Sequence, residues 1–328
     1  MEKIIGVGNA LVDVLVQIKD DSILAEFGLP KGSMQLIDEQ TFDRISTRMS
    51  TMDTETTTGG SAANTMLALA HLGEEPGFIG KIGKDNYGCF FSDNAKQCGI
   101  TPFLMTDSLP TGVASTFVST DGQRTFGTFL GAAALMQAED IQPTFFDGYK
   151  ILYVEGYLVQ SHEMIEHTMK EAKKAGLKIC LDLASYNIVE ADHDFFVYLL
   201  TNYIDIVFAN EEESKAFSGK PPYEALDELA SLCEIAVVKL GPDGVLVKRG
   251  DEVVEAKASP VEKVIDTTAA GDYFAGGFLY GYIHHGTLLQ CAEIGGELAG
   301  EVIQVVGTKL TNTAWKIVRE RIKQIMKE

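Results

Sequence analysis

The chain is short of several things at once, and each shortage removes a class of function. It carries 27 Lys and Arg against 47 Asp and Glu, a formal charge of −20. That balance argues against nucleic acid as a partner, because a phosphate backbone is gripped through clustered cations. Its five cysteines (Cys89, Cys98, Cys180, Cys233, Cys291) are scattered and free of Cys-x-x-Cys spacing. Neither a disulfide framework nor a zinc site follows, and a reducing cytoplasm suits them best. No apolar run is long enough to span a bilayer, so no membrane partner is expected. Met1 to Val7 runs straight into a strand without signal-peptide anatomy. Repeats and low-complexity tracts are missing, and Thr54 to Thr58 reads as a polar loop ahead of Gly59.

Two common nucleotide motifs are also missing. Gly6-Val7-Gly8-Asn9-Ala10-Leu11 has two glycines of a dinucleotide fingerprint, but Leu11 stands where the third belongs and strand-like residues replace its helix. Gly80-Lys81 and Gly219-Lys220 lack the upstream glycine and following hydroxyl of a P-loop.

What remains is a strong α/β pattern. Apolar runs such as Ile151 to Val154, Ile179 to Leu181, Ile204 to Phe208 and Ile235 to Val238 alternate with helical stretches at His162 to Ala175, Glu190 to Thr201 and Tyr223 to Cys233. Such alternation implies βαβ crossovers and a mainly parallel sheet, whose ligands bind beyond the carboxyl ends of the strands. Residues 11–38 and 100–130 break the pattern with Thr- and Val-rich strands, a turn at Pro30-Lys31-Gly32 and a hairpin signal at Asp121-Gly122. They read as a small sheet standing off the main layer. Ala314 to Glu328 reads as an amphipathic structural helix.

Two segments carry chemistry. In Val264 to Phe278 a strand end meets a small-residue turn, Ala269-Ala270-Gly271, and then a helix beginning near Asp272. Free amides and the helix N-terminus there form a cup for an anion, and the Asp272 carboxylate can take a proton from a hydroxyl. The second segment, Gly59-Gly60-Ser61-Ala62-Ala63-Asn64, permits close backbone approach and places Asn64 on a first helical turn. Its bland reading is a Gly-Gly turn, a Ser61 N-cap and a core helix.

Together these segments resemble the signatures of the ribokinase-like (PfkB) carbohydrate and nucleoside kinase family. Gly8-Asn9-Ala10-Leu11-Val12-Asp13, Gly80 to Gly88, Asn210-Glu211-Glu212-Glu213 and Lys239 to Gly244 resemble further family segments in the same order. The resemblance implies a three-layer α/β/α sandwich with a mainly parallel central sheet and a β-sheet lid. Residues 1–10, 39–99 and 131–328 would form the catalytic domain, and 11–38 with 100–130 the lid. It implies Asp272 as general base, the backbone amides of residues 269–272 as anion hole, and Asp13, Gly59, Gly60 and Asn64 as the acceptor grip. Asn210, Lys239, Gly241, Gly244 and Thr267 fall to ATP. Glu213 would hold Mg2+ through water, a solvated acidic helix start being its alternative. Asp266 and Thr268 would lend carbonyls to K+. The charge of −20 independently calls for a divalent cation beside a polyanionic nucleotide.

One departure stands out: the family's run is Gly-Ala-Gly-Asp, whereas this chain has Ala269 in the first position. With Gly271 kept, a right-handed conformation at Ala269 is expected. Arg124 reads either as a phosphate contact or as a lid-surface arginine. Thr125 to Ala133, with Phe103 and Phe117, offers apolar cover for a base, so the expected acceptor is adenosine-like, as in bacterial proteins grouped with adenosine kinase. A free-sugar kinase is the alternative, and a non-catalytic metabolite-binding protein is a second one. The resemblance allows a monomer or a lid-mediated homodimer.

Overall fold

The computed structural model describes residues 2–121 and 123–327. Its strands are β1 (Lys3–Val7), β2 (Leu11–Gln17), β3 (Met34–Leu36), β4 (Thr54–Gly59), β5 (Gly77–Gly83), β6 (Thr101–Asp107), β7 (Gly112–Val118), β8 (Arg124–Phe129), β9 (Tyr149–Glu155), β10 (Lys178–Asp182), β11 (Ile206–Asn210), β12 (Ile235–Lys239), β13 (Val245–Arg249) and β14 (Glu252–Ala256). Nine of them form one sheet in the order β14-β13-β12-β11-β10-β9-β1-β5-β6, parallel from β6 to β12 and antiparallel at β13 and β14.

Successive side chains of a strand point to opposite faces, and this alternation builds two cores. Ile151 and Tyr153 of β9 join a layer with Met66, Phe274 and Phe278, from the helices Ser61–Leu72 and Ala270–Ile283. Leu152 and Val154 face the other layer, with Ile165, Phe196 and Leu226 from the helices His162–Lys174, His193–Asn202 and Pro222–Leu232. Helices on both faces of a buried parallel sheet are the expected three layers. The C-terminal helix, Asn312–Ile325, buries Trp315, Val318 and Ile322 on one face.

The remaining strands form a second sheet, β3-β8-β7-β2-β4. Along β2, Val12, Val14 and Val16 enter an apolar core that also holds Phe42, Ile45 and Phe117. Leu11 and Asp13 alternate to the opposite face, toward a cleft. The lid is therefore present, with corrected borders. Thr101–Asp107 pairs with β5 in the large sheet, so the second excursion starts at Gly112. Thr54–Gly59 is a strand paired with β2 and not a loop, which draws the end of the first excursion to Gly59. The helix Glu39–Met49, assigned from sequence to the catalytic domain, packs Phe42 on Phe129 of the lid. A short helix, Ser22–Phe27, precedes the turn at Lys31–Gly32, which closes through Ser33 N–H to the Pro30 carbonyl. Strands β7 and β8 pair antiparallel around the expected hairpin, whose Gly122 lies outside the described residues.

Candidate active site

A cleft of about 710 Å³ lies under the lid, at the carboxyl ends of the large sheet's strands. Into it converge Asp13 from β2, Ser61 and Asn64 from the start of their helix, Glu155, Asp182, Asn210 and Lys239 from four strand ends, and the turn from Thr268 to Asp272. The strand ends are adjacent in space only because β9 to β12 are neighbours in one parallel sheet.

Asp272 occupies the first turn of its helix, where the N-terminal dipole favours a negative charge. The Ser61 hydroxyl donates to Oδ1 at 2.7 Å, and Asn64 Nδ2 donates to Oδ2 at 2.9 Å. Ser61 is thus not the N-cap of its helix: Gly60 takes that place, and Ser61 reaches Asp272 from the first helical position. Gly60 has φ of 96°, and a Cβ there would sit 2.2 Å from the Asn9 carbonyl, so both conformation and space require glycine. Burial pushes the Asp272 carboxyl up to about 6, against the Ser61 and Asn64 hydrogen bonds; Asp182 adds to the rise and Lys239 opposes it.

On the far side, Lys239 Nζ lies 2.9 Å from Asp182 Oδ2. A Cβ at Gly271 would lie 3.0 Å from the same Nζ, so glycine leaves room for the ammonium. Burial works against the Lys239 charge, yet Asp182 and Glu213 hold it above its usual range. Glu213 is buried, which corrects the solvated alternative. It forms a capping box with Asn210: Asn210 N–H and Nδ2 donate to its two oxygens, and Asn210 Oδ1 accepts from Glu213 N–H. Burial and Asp182 push the Glu213 carboxyl up to about 7, and Lys239 opposes them. Gly241 and Gly244 form the turn after β12, and Thr267 is exposed before the helix; all three lie beyond the cleft lining. Gly59 and Asp266 also lie behind that lining.

The turn itself departs from expectation. Ala269 has φ of 61° and ψ of 7°, a left-handed and not a right-handed residue. Ala270 N–H donates to the Thr267 carbonyl, so this amide is already used. The amides of Gly271 and Asp272 have no carbonyl partner among the described residues. Asp266 is engaged as an organiser: Oδ1 accepts from Thr268 N–H, and Oδ2 accepts from Gly307 N–H and lies 2.9 Å from Arg124. Arg124 is therefore neither on the surface nor free, but clasps the lid to the turn with a nearly buried guanidinium.

Beside Asp13 the wall turns apolar, with Met34, Leu36, Phe126, Leu130, Met136 and Met164. Of the aromatics expected to cover a base, only Phe126 lies here. Phe103 packs on Phe145 and Tyr149 beneath the large sheet's edge, and Phe117 is fully buried against Phe27. Sequence reasoning missed Ser61 as a partner of Asp272, and missed Glu155 and Asp182 altogether. The last two end apolar strands, where a lone acid was the only available signal. Among the described residues no cluster of three His, Cys, Asp or Glu side chains is arranged to hold a metal by itself.

Two outcomes are expected. A left-handed alanine costs about 1–2 kcal/mol, and glycine returns about 0.4–1 kcal/mol to the unfolded chain. Ala269→Gly should therefore stabilise the protein by about 0.5–1 kcal/mol in urea denaturation, whereas an ordinary helical Ala→Gly change destabilises. Asp13 accepts no hydrogen bond from the described residues, and burial raises its carboxyl to about 7 despite Arg124. A carboxyl raised in the folded state favours folding most below about pH 4 and loses that contribution as pH climbs through 7. Asp13→Asn should raise the melting temperature at pH 8 more than at pH 4; equal changes at both would exclude a desolvated charge.

The chain matches the profile described as pfkB family carbohydrate kinase over residues 33–315. A probable sugar kinase from Rhizobium etli superposes with a TM-score of 0.88 at 30% identity, over 98% of both chains. Adenosine kinase from Sinorhizobium meliloti gives a TM-score of 0.87 at 33% identity, over 98% of this chain and 99% of that one. Adenosine kinase 2 of Arabidopsis thaliana is 26% identical over 93% of this chain and 94% of its own length. A lidded sheet with a carboxylate at a helix N-terminus, matched over nearly the whole chain, has one family reading: this protein belongs to the pfkB family of carbohydrate kinases, phosphotransferases that act on a hydroxyl acceptor.

Proposed function

We propose that the protein transfers the γ-phosphoryl group of ATP to a primary hydroxyl of an adenosine-like nucleoside, with Asp272 as the base. The observation that carries the acceptor is the union, in one cleft, of the polar residues Asp13 and Asn64 with an apolar wall of Met34, Leu36, Phe126 and Met136. A sugar needs the first and a base the second. The full-length likeness to adenosine kinase from Sinorhizobium meliloti supports the same choice. The likeness to the Rhizobium etli probable sugar kinase keeps a free-sugar acceptor as the second reading.

In this reading Asp272 accepts the proton of the attacking hydroxyl while Ser61 and Asn64 hold its two oxygens. The free amides of Gly271 and Asp272 receive the transferring phosphoryl at the helix N-terminus. Lys239 and Asn210 flank the nucleotide, with Gly241, Gly244 and Thr267 at the outer edge. Glu213 and Asp182 would hold Mg2+ through water with their hard oxygens, and the ion would supply neutralisation of the phosphate charge. The Asp266 carboxylate being engaged, only the carbonyls of Asp266 and Thr268 are left for K+. Met34 and Leu36 lie exposed on β3, an edge strand where a second copy's lid can pair, so monomer and lid-joined dimer both fit. No helix among the described residues is long and apolar enough to cross a membrane.

The test is ATP-dependent phosphorylation of adenosine, other nucleosides, ribose, fructose and deoxygluconate sugars with Mg2+, with and without K+. Adenosine is expected to lead; a free sugar in first place overturns the nucleoside acceptor and leaves the kinase. Asp272→Asn should lower kcat by about 10²–10⁴-fold with a smaller effect on acceptor KM. Because the base works ionised and Asp272 sits near 6, with Asp13 and Glu155 near 7, kcat/KM should fall by more than tenfold per unit below about pH 6. A profile flat to pH 5 would remove Asp272 as the base.

A further inference from the structure

Asp272 is held at more than its carboxylate. Ser61, Asn64 and Thr65 all reach it from one helix, and their i, i+3, i+4 spacing puts them on one face. The first two donate to Oδ1 and Oδ2. Thr65 lies behind them, fully buried and outside the cleft lining. Its Oγ1 is 3.1 Å from the main-chain carbonyl oxygen of Asp272 and 3.2 Å from that of Ser61. Carbonyls only accept, so the Thr65 hydroxyl is the donor to either. The Ser61 contact is the usual back-bond of a helical threonine to residue i−4. The Asp272 contact joins residues 207 positions apart and has no such local cause.

The helices Ser61–Leu72 and Ala270–Ile283 stand close together here. A Cβ added at Gly276 would lie 2.8 Å from the Ala68 Cβ and 3.1 Å from the Thr65 carbonyl oxygen. Small residues set how near the helices stand, whereas a directional hydrogen bond sets how far one slides past the other. With only its two oxygens held, Asp272 could still shift its main chain behind them. A third bond, on its own carbonyl, fixes the backbone from which the carboxylate projects.

We propose that Thr65 is a positioning residue for phosphoryl transfer: its hydroxyl locks the main chain of Asp272 to the helix that holds the Asp272 carboxylate. The base then meets the acceptor hydroxyl at a set distance, and a misplacement of about 1 Å at such a point costs on the order of 10²-fold in rate. The inference rests on the reading of Asp272 as the base.

Wild type and variants are assayed for kcat and both KM values on the acceptor that the panel above ranks first. Thr65→Val keeps the shape and removes the donor; kcat should fall about 10–50-fold while acceptor and ATP KM stay within about threefold. Thr65→Ser keeps the hydroxyl and should hold kcat within about threefold of wild type. A threonine that merely packs the helices gives the reverse order, because valine fills its space and serine does not. The Thr65→Val change is then repeated in Asp272→Asn, where no base remains to be placed, and should cost less than about twofold. Melting curves accompany each variant, and should Thr65→Val not fold, Thr65→Ala takes its place in both comparisons. Should Asp272→Asn react too slowly to measure, the order of the valine and serine variants decides alone. Unchanged kcat in Asp272→Asn, or a wild type that phosphorylates no acceptor, overturns the base reading and this inference with it. With Asp272→Asn slowed, a Thr65→Val variant near wild type, or one equally costly in both backgrounds, overturns this inference alone.

Discussion

Five carboxylates, Asp13, Glu155, Asp182, Glu213 and Asp272, share one partly dehydrated cleft with the Lys239 ammonium and, at its edge, the clasping guanidinium of Arg124. Withdrawing that much negative charge from water is unfavourable unless each group finds a partner. The architecture around the cleft supplies them. Asp182 has Lys239, Glu213 has the Asn210 cap, Glu155 has Asn9 and Ala62, and Asp272 has Ser61 and Asn64. Asp13 alone among the five accepts no hydrogen bond from the described residues, and burial raises its carboxyl. The same surplus of negative charge makes a divalent cation the natural companion of a nucleotide here.

These partners come from segments far apart in the chain, and the approach between them is set by small residues. Gly8 gives way to Glu155, Gly60 to the Asn9 carbonyl, and Gly271 to Lys239. Ala269 is the exception, an alanine held where glycine would be unstrained. Strain of this kind persists only where the surroundings over-determine the backbone. Here the Asp266 carboxylate does so, binding the turn through Thr268 and the neighbouring loop through Gly307.

Arg124 connects this turn to the lid. Its pairing with Asp266 means that the conformation of the turn and the position of the small sheet are linked through one ion pair. Asp13, on the lid, carries its charge close to the same guanidinium. The small sheet and the turn before Asp272 are thus joined physically, because both ends share one buried charge.

The sequence by itself determined the alternation of strands and helices, the parallel sheet, the existence of a lid, and the two turns that carry Asn64 and Asp272. Period-two and helical patterning are local properties, and small-residue turns announce themselves within a few positions. It also led to Asp13, Asn210, Glu213 and Lys239, each beside a recognisable motif. The lid borders were less legible, since Thr101–Asp107 and Thr54–Gly59 are equally good strands for either sheet and only pairing chooses between them. Tertiary structure alone decided that Phe117 is core and Phe103 packs half-buried against the large sheet's core, while Met34 and Leu36 line the cleft. It alone decided that Ala269 is left-handed and that Arg124 is a clasp. Glu155 and Asp182 were invisible for the same reason: a buried acid is defined by the donors around it, and those donors lie up to 146 residues away.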